Sequence, residues 1–382
     1  MSVRRFMIHV GLVLLVMLAP VMAAAQQSNL QEGSFTYYYF TPKKVKTVEL
    51  VKWLSEKKVL TDPNAVYPVI GFFTVLAEKS PHKLLRAIDE ASLKGKDLFP
   101  IALAYWHADD LKIAESLARK VPLTGKALTR LKTAPPSLLK ADLTKSGQLD
   151  TLWGAFMASG DTRYVARIID VFDLPDDSNG SKIETQLLKK AARWSLVNNA
   201  RDHELVRRLC VQELSRRTGE SKKSLQQIVT SVDTPKHPFP STDGRFSALL
   251  APTKDPTLYQ QWKRLPSERV PDIKITDQAK RGERVDLPLF FMGEGLDKNL
   301  RANLTYDLKV IAPDGSIYFS GRNITAFSGR LPTSTFVQMS TKYGAIVFEA
   351  KDKLGVYKVL AELNDHISHK TLRLTGTIEL VK

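Results

Sequence analysis

Few residues in this chain have the type and spacing to do chemistry. Asp365, His366 and His369 fall together in "NDHISHK", and carboxylate and imidazole are ligands for zinc or copper. No further Cys or His lies near them in sequence, which leaves the trio short of a complete ligand set. A second stretch, "PDDSNGSKIE", sets Asp177, Asn179 and Gly180 in the manner of a calcium loop. Its first ligand place is Pro175 and its twelfth is Gln186, where a glutamate is required, so the match fails. The third candidate is Ser159-Gly160-Asp161 in "LDTLWGAFMASGDTRYVARIIDVF", ringed by Trp153, Phe156 and Tyr164. It is either an active-site turn or a bend between helices. No glycine-rich phosphate loop, nucleophile elbow or His-Glu zinc helix occurs. The sequence therefore names no catalytic residue, no metal site and no cofactor, although a triad assembled in space needs no fixed spacing.

Charge gives the one functional direction. The chain carries 56 Lys and Arg against 40 Asp and Glu, a net of +16, and residues 182–223 hold a disproportionate share of the excess. Amphipathic spacing there sets Lys189, Lys190, Arg193, Arg201, Arg208 and Arg216 as a candidate patch for an anionic partner, by attraction to the summed field. "FTYYYF", Phe35 to Phe40, is either an aromatic platform for sugars or, as we expect, a segment whose rings dock on the first helices.

The elements that must position these residues divide into two textures. From Val45 to about Val229 apolar residues recur at three- and four-residue spacing, which predicts a stack of amphipathic helices. Trp153 set against Trp194 aligns Asp161 with Asp202, Val165 with Val206 and Arg167 with Arg208. An earlier copy pairs Phe72, Ser80, Leu84 and Arg86 with the same places. Such matches mark a helical-hairpin repeat. Asp161, Asp202 and Ser80 are expected as N-caps, with both tryptophans buried, so the Ser-Gly-Asp turn reads as structural. Residues 231–267, rich in Pro, Ser, Thr and Asp, read as an ordered connector or linker. From Glu268 the pattern alternates at period two in short runs, with hairpin turns at Pro313-Asp314-Gly315 and Asn364-Asp365, the pattern of an antiparallel β-sandwich.

Arg4 and Arg5, an apolar run from Phe6 to Met22 and Ala23-Ala24-Ala25 predict a signal peptide cleaved before Gln26. No other stretch is apolar enough to span a bilayer, so export to the periplasm or the exterior of a Gram-negative bacterium is expected. Cys210 is the single cysteine, which excludes an intrachain disulfide and leaves the core to hold the fold.

"LDTLWGAFMASGDTRYVARII" and "KKAARWSLVNNARDHELV", after the aromatic start "FTYYYF", resemble an exported bacterial protein family of unknown function, with helical hairpins and an LWGxFxxSGD-type motif. The resemblance covers about Phe35 to Val229 and carries no catalytic residues. The C-terminal pattern resembles immunoglobulin-like modules of exported proteins, which implies a fold and no activity.

The expected fold class is α+β and multidomain. Residues 1–25 form a signal peptide, 26–230 an all-α helical-hairpin repeat array of TPR/HEAT type, 231–267 a connector and 268–382 an immunoglobulin-like β-sandwich. The expected function is that of an exported interaction or scaffold protein rather than an enzyme. Its partner would be a protein, an anionic envelope polymer or a lipid surface, not a nucleic acid. The alternative is an envelope-polymer hydrolase with a site not visible in sequence.

Overall fold

The computed structural model describes residues 33–382 apart from 44, 123–128, 130, 177–181, 235–238 and 266–268. The expected signal peptide, the Asp177–Gly180 loop and a helix stop expected at Gly125 lie outside the described residues. The protein is α+β, helical toward the N-terminus and sheet-rich toward the C-terminus. It divides into two compact units, Met1–Leu196 with Arg208–Gln226 and Val197–Arg207 with Gln227–Lys382.

In the first unit α1 (Thr47–Glu56), α2 (Val66–Lys79), α3 (Pro81–Glu90), α4 (Leu98–His107) and α5 (Leu111–Ala118) precede α6 (Ser146–Ser159) and α7 (Thr162–Asp170). The closest approach is that of α2 and α6. A Cβ on Gly71 would run into the Thr151 carbonyl oxygen, and one on Gly154 into that of Pro68. Gly147 lies against the Tyr67 ring in the same order along both chains, so the two helices run side by side in parallel. Two glycines facing each other's backbone let their axes come closer than any pair of side chains would permit. Around the crossing Phe72, Phe73 and Phe156 are fully buried, with Trp153 beside them.

The aromatic segment docks as expected. Phe35 stacks on Phe72 at 4.5 Å, Tyr38 meets the same ring edge-on at 5.0 Å, and Tyr39 reaches Phe156 at 5.2 Å. The Tyr39 amide donates to the Met157 carbonyl at 2.9 Å, which ties the segment to the end of α6.

The repeat holds at some matched positions and fails at others. Gly160 ends α6 in the left-handed region, with φ of 70°, and Asp161 then caps α7 by accepting from the Arg163 amide. At the second copy, Arg201 stands where the first has Gly160. With no glycine to turn the chain, α8 (Lys182–Asp202) continues through Asp202, and His203 rather than Asp202 precedes α9 (Glu204–Arg216). Ser80 separates α2 from α3, but its side chain makes no cap bond. Trp194, expected in the core, is 72 % exposed. The buried line of α8 runs through Thr185, Leu188, Ala192, Leu196 and Ala200, and Trp194 lies off that line.

α10 (Gly219–Asp233) begins in the first unit and ends in the second, which continues with β1 (Ser241–Asp243), β2 (Phe246–Leu250) and α11 (Leu258–Arg264). Residues 231–267 thus hold two strands and a helix where a connector was expected. Phe246, Ala248 and Leu250 alternate inward, but the run is too short and too close to Pro and Gly to stand out in sequence. Then follow β3 (Gln278–Ala279), β4 (Arg284–Leu287), β5 (Leu289–Met292), β6 (Arg301–Ile311), β7 (Ile317–Arg330), β8 (Gln338–Met339), β9 (Gly344–Val347), β10 (Gly355–Asp365) and β11 (Lys370–Leu380).

The strand orders are β1-β2-β5-β8, β3-β11-β10-β6-β7 and β4-β9. Pairing is antiparallel except for β3 on β11, a short mixed edge that alternation alone does not reveal. Alternate residues of the strands, such as Leu304, Tyr306 and Leu308 on β6 and Tyr357 and Val359 on β10, enter one core with Phe246, Ala248 and Phe291. Both expected hairpins form. Asp314 accepts from the Ser316 amide at 3.0 Å beneath β6–β7, and Asp365 pairs with Lys370 across β10–β11.

Two outcomes test this packing. Gly71→Ala and Gly154→Ala should each lower stability by about 1–3 kcal/mol or more, because the added methyl meets a carbonyl that cannot step aside. Trp153→Ala should cost about 3–5 kcal/mol, whereas Trp194→Ala should stay within about 0.5 kcal/mol. Urea unfolding of the four variants measures both. Equal losses for the two tryptophans would restore the sequence expectation.

Candidate functional site

The Ser-Gly-Asp turn is a structural bend. The Asp161 carboxylate faces the Arg163 guanidinium in a fork, with Nη2 at 2.6 Å and Nε at 2.9 Å, and also accepts the Arg163 amide. Those bonds, foremost the one from the Arg163 side chain, hold its carboxyl below the usual range. Ser159 donates back to the Ala155 carbonyl at 2.6 Å.

Beside this bend lies a cavity of about 290 Å³. Five segments build it: the docked aromatic strip gives Tyr38 and Tyr39, the start of α1 gives Thr47, α2 gives Leu76 and Lys79, α6 gives Ala158 and Ser159, and the start of α3 gives Ser80, Lys83 and Leu84. The parallel run of α2 and α6 brings their C-terminal ends to this one place. Burial raises the Tyr38 hydroxyl pKa, with Thr47 opposing the rise. Lys79, Ser80 and Lys83 differ, since among the described residues no ion pair or hydrogen bond engages any of their side chains. The sequence carried a signal for them, two lysines four apart in "EKSPHK". Without the cavity it is indistinguishable from a solvated helix face.

The anticipated basic patch is largely spoken for. Lys189 lies 3.5 Å from Asp176, and Arg193 donates to Ser224 at 2.7 Å and approaches Glu220 at 3.6 Å. Arg216 sits 3.5 Å from Glu213, and Arg208 is half-buried. Lys190 is exposed. Arg201 belongs to the second unit and donates to the Ser231 carbonyl and hydroxyl. Arg217 alone spans Asp170, Asp173 and Glu213. A guanidinium fork satisfies several carboxylates at once, which is why the arginines of this basic stretch work as internal ties.

At the β10–β11 turn, Asp365 is buried, and its oxygens accept from the amides of Gly295, Ile367 and Ser368 and from the Ser368 hydroxyl. His366 meets the Thr305 hydroxyl at 2.8 Å. Among the described residues no group of three His, Cys, Asp or Glu is placed to hold a metal. Cys210 is buried.

The second unit encloses charges that the sequence reading did not single out. Arg207 bonds Asp233 at 2.8 Å and Glu204 at 3.4 Å, and Arg245 reaches Asp233 at 3.4 Å and the Ser334 hydroxyl at 3.1 Å. Glu294 is buried beside them with neither carboxyl oxygen hydrogen-bonded. Desolvation, opposed by its own backbone amide and by Arg245 and reinforced by Asp365 and Glu204, raises its pKa well above the ordinary glutamate range. Gly293 precedes it with φ of 77° and packs so tightly on the Arg245 carbonyl that a side chain has no room.

Two further cavities adjoin other walls. One of about 240 Å³ in the second unit is lined by Arg201, Arg245, Met292 and Phe336. One of about 500 Å³ in the first unit is mostly apolar. Its Trp106 donates to the Thr133 carbonyl and Thr151 to the Gly147 carbonyl.

No protein-family model matches the chain, and no curated protein matches it in sequence. Three similar solved structures are a family 123 glycoside hydrolase from Clostridium perfringens, a Niemann-Pick type C2 protein from the Japanese carpenter ant and the Pseudomonas fluorescens alkylpurine DNA glycosylase AlkC. The hydrolase is 9 % identical over 36 % of this chain, with a TM-score of 0.22, and the chain spans 27 % of its length. The Niemann-Pick protein is 6 % identical over 27 % of this chain and 79 % of its own, at 0.20. The glycosylase is 11 % identical over 87 % of this chain and 81 % of its own, at 0.21. Likenesses at these scores carry no argument about function.

Glu294 generates a pH-dependent outcome. In acid both folded and unfolded chains hold its proton, and the group contributes nothing that depends on pH. As pH rises through the ordinary glutamate range the unfolded chain releases that proton while the folded chain keeps it. Stability then falls by up to about 1.4 kcal/mol per pH unit until the folded chain also ionises. Glu294→Gln removes this loss, so its melting temperature relative to the parent should rise as pH is raised through and above the ordinary glutamate range. A margin independent of pH would show that the buried carboxyl does not titrate this way.

Proposed function

We propose that this chain is an exported interaction protein that binds an anionic component of the bacterial envelope through its helical unit. In this reading the helical unit is a hairpin repeat array of TPR/HEAT type, and the C-terminal unit is an immunoglobulin-like β-sandwich that presents a second surface. Such architectures make surfaces more readily than closed catalytic pockets. The segment before Gln26 is read as a cleaved signal, so the working compartment is the periplasm or the exterior. Among the described residues no helix is long and apolar enough to cross a membrane.

One observation carries the reading: uncommitted ammonium groups on the helical unit, Lys79 and Lys83 at the cavity and Lys190 on α8, in a chain of net charge +16. The patch of Lys189, Lys190, Arg193, Arg201, Arg208 and Arg216 contributes through its field even where its members are tied, since an ion pair does not cancel a regional excess.

The hydrolase reading has one observation in its favour. Burial raises the pKa of the Glu294 carboxyl and Asp365 raises it further, and a carboxyl raised beside a second one is the raw material of acid–base cleavage. Both are only 2 % exposed, and neither lines any of the three cavities.

The test is binding of the chain from Gln26 onward to vesicles of anionic or zwitterionic lipid as salt is raised. Binding should require the anionic lipid and weaken severalfold between low and physiological salt, as screening dictates. Lys190→Glu should weaken it further without changing the melting curve. Equal binding to neutral vesicles at every salt concentration would overturn the proposal.

A further inference from the structure

We propose that the cavity where α2 and α6 end binds an anionic amphiphile, with an oxyanion head between Lys79, Ser80 and Lys83 and an aliphatic body along the opposite wall. The inference rests on the anionic-partner reading and narrows it to a site and a ligand class. Three donors converge on one cavity with none of their capacity used inside the protein: two ammonium groups and one hydroxyl. Arg163 and Arg217 of the same unit are bonded to carboxylates, whereas Lys79 and Lys83 keep their ammonium groups for the cavity. Two carboxylates act on Lys79 through their charge, Asp161, already forked by Arg163, and the adjacent Glu78, and neither is bonded to it.

The rest of the wall differs in character. Leu76, Leu84, Ala158 and Pro42 are apolar, and Tyr39 adds a ring. That ring is pinned between Phe156 and Gly160, where even a methyl on the glycine would stand only 3.0 Å from it. Burial raises the Tyr38 hydroxyl pKa, so that side brings no charge of its own to a ligand. A small hydrated anion would therefore gain only the lysines, and a neutral hydrocarbon only the wall. A molecule with an oxyanion at one end and a short alkyl chain at the other gains both. The volume of about 290 Å³ is close to twice that of a cavity that holds benzene, about 150 Å³, which suits a head and a few methylenes rather than a whole lipid. A phosphorylated lipid and a soluble alkyl phosphate share this chemistry.

The experiment titrates the chain from Gln26 onward by calorimetry with three probes: octyl phosphate, inorganic phosphate and octanol. Octyl phosphate should bind about tenfold or more tightly than either of the others, a difference of about 1.4 kcal/mol, and raised salt should weaken it. Lys79→Gln with Lys83→Gln should remove that advantage, leave any octanol binding in place and keep the melting temperature. Since both lysines are exposed, Lys83→Gln alone serves as a milder variant should the pair disturb folding. Vesicles carrying phosphatidic acid, beside the soluble probe, then distinguish a lipid headgroup from a free phosphate ester as the source.

Inorganic phosphate binding as well as octyl phosphate would overturn the amphiphile and leave the anionic reading standing. Octyl phosphate binding untouched by the lysine variants would overturn the site. Failure of all three probes, with salt-dependent binding to anionic vesicles retained, would overturn this inference alone. Loss of the vesicle binding as well would overturn both.

Discussion

The helical unit depends on one close approach. Gly71 of α2 and Gly154 of α6 each face the backbone of the other helix, and any side chain at either position would push the axes apart. Because the two helices run parallel, their C-terminal ends arrive together, and what those ends carry becomes a shared wall. Phe35, Tyr38 and Tyr39 then close over it, on Phe72 and Phe156. The cavity is thus a consequence of helix spacing, and its lysines are brought to it by α2 and α3 rather than by the bend that the motif advertises.

The second unit is held by a different device. Alternation along β6, β10 and β11 feeds one apolar core, and short strands from upstream, β2 above all, supply further residues. At its margin sits an enclosed set of charges in which two arginines share Asp233. Glu294 lies among them without a hydrogen bond. Burying an ionised carboxyl without a partner is far costlier than burying a protonated one, so the fold selects the neutral form and stability inherits a dependence on pH.

Charge also has two uses in this protein that composition does not separate. The arginines of the basic stretch mostly reach inward or sideways, as Arg193 does to Ser224 and Arg217 to three carboxylates. Lysines such as Lys79, Lys83 and Lys190 stay uncommitted, and an ammonium hydrated on a flexible stem loses little by remaining in solvent. A net charge of +16 accordingly overstates the number of cations available to a partner.

What the sequence by itself determined is what local rules control. Period-two alternation marks β6, β10 and β11, Pro313-Asp314-Gly315 and Asn364-Asp365 mark their hairpins, and Gly160-Asp161 marks a helix stop followed by a cap. In each case the deciding residues are neighbours in the chain. The tertiary structure alone decided which face of α8 is buried, and so left Trp194 in solvent. It also drew β2 into a sheet from a segment that reads as a linker, and gathered Lys79, Ser80 and Lys83 against Tyr39 and Ala158. Burial and hydrogen bonding between residues distant in sequence are properties of pairs, and a single sequence read along its length shows only one member of each pair.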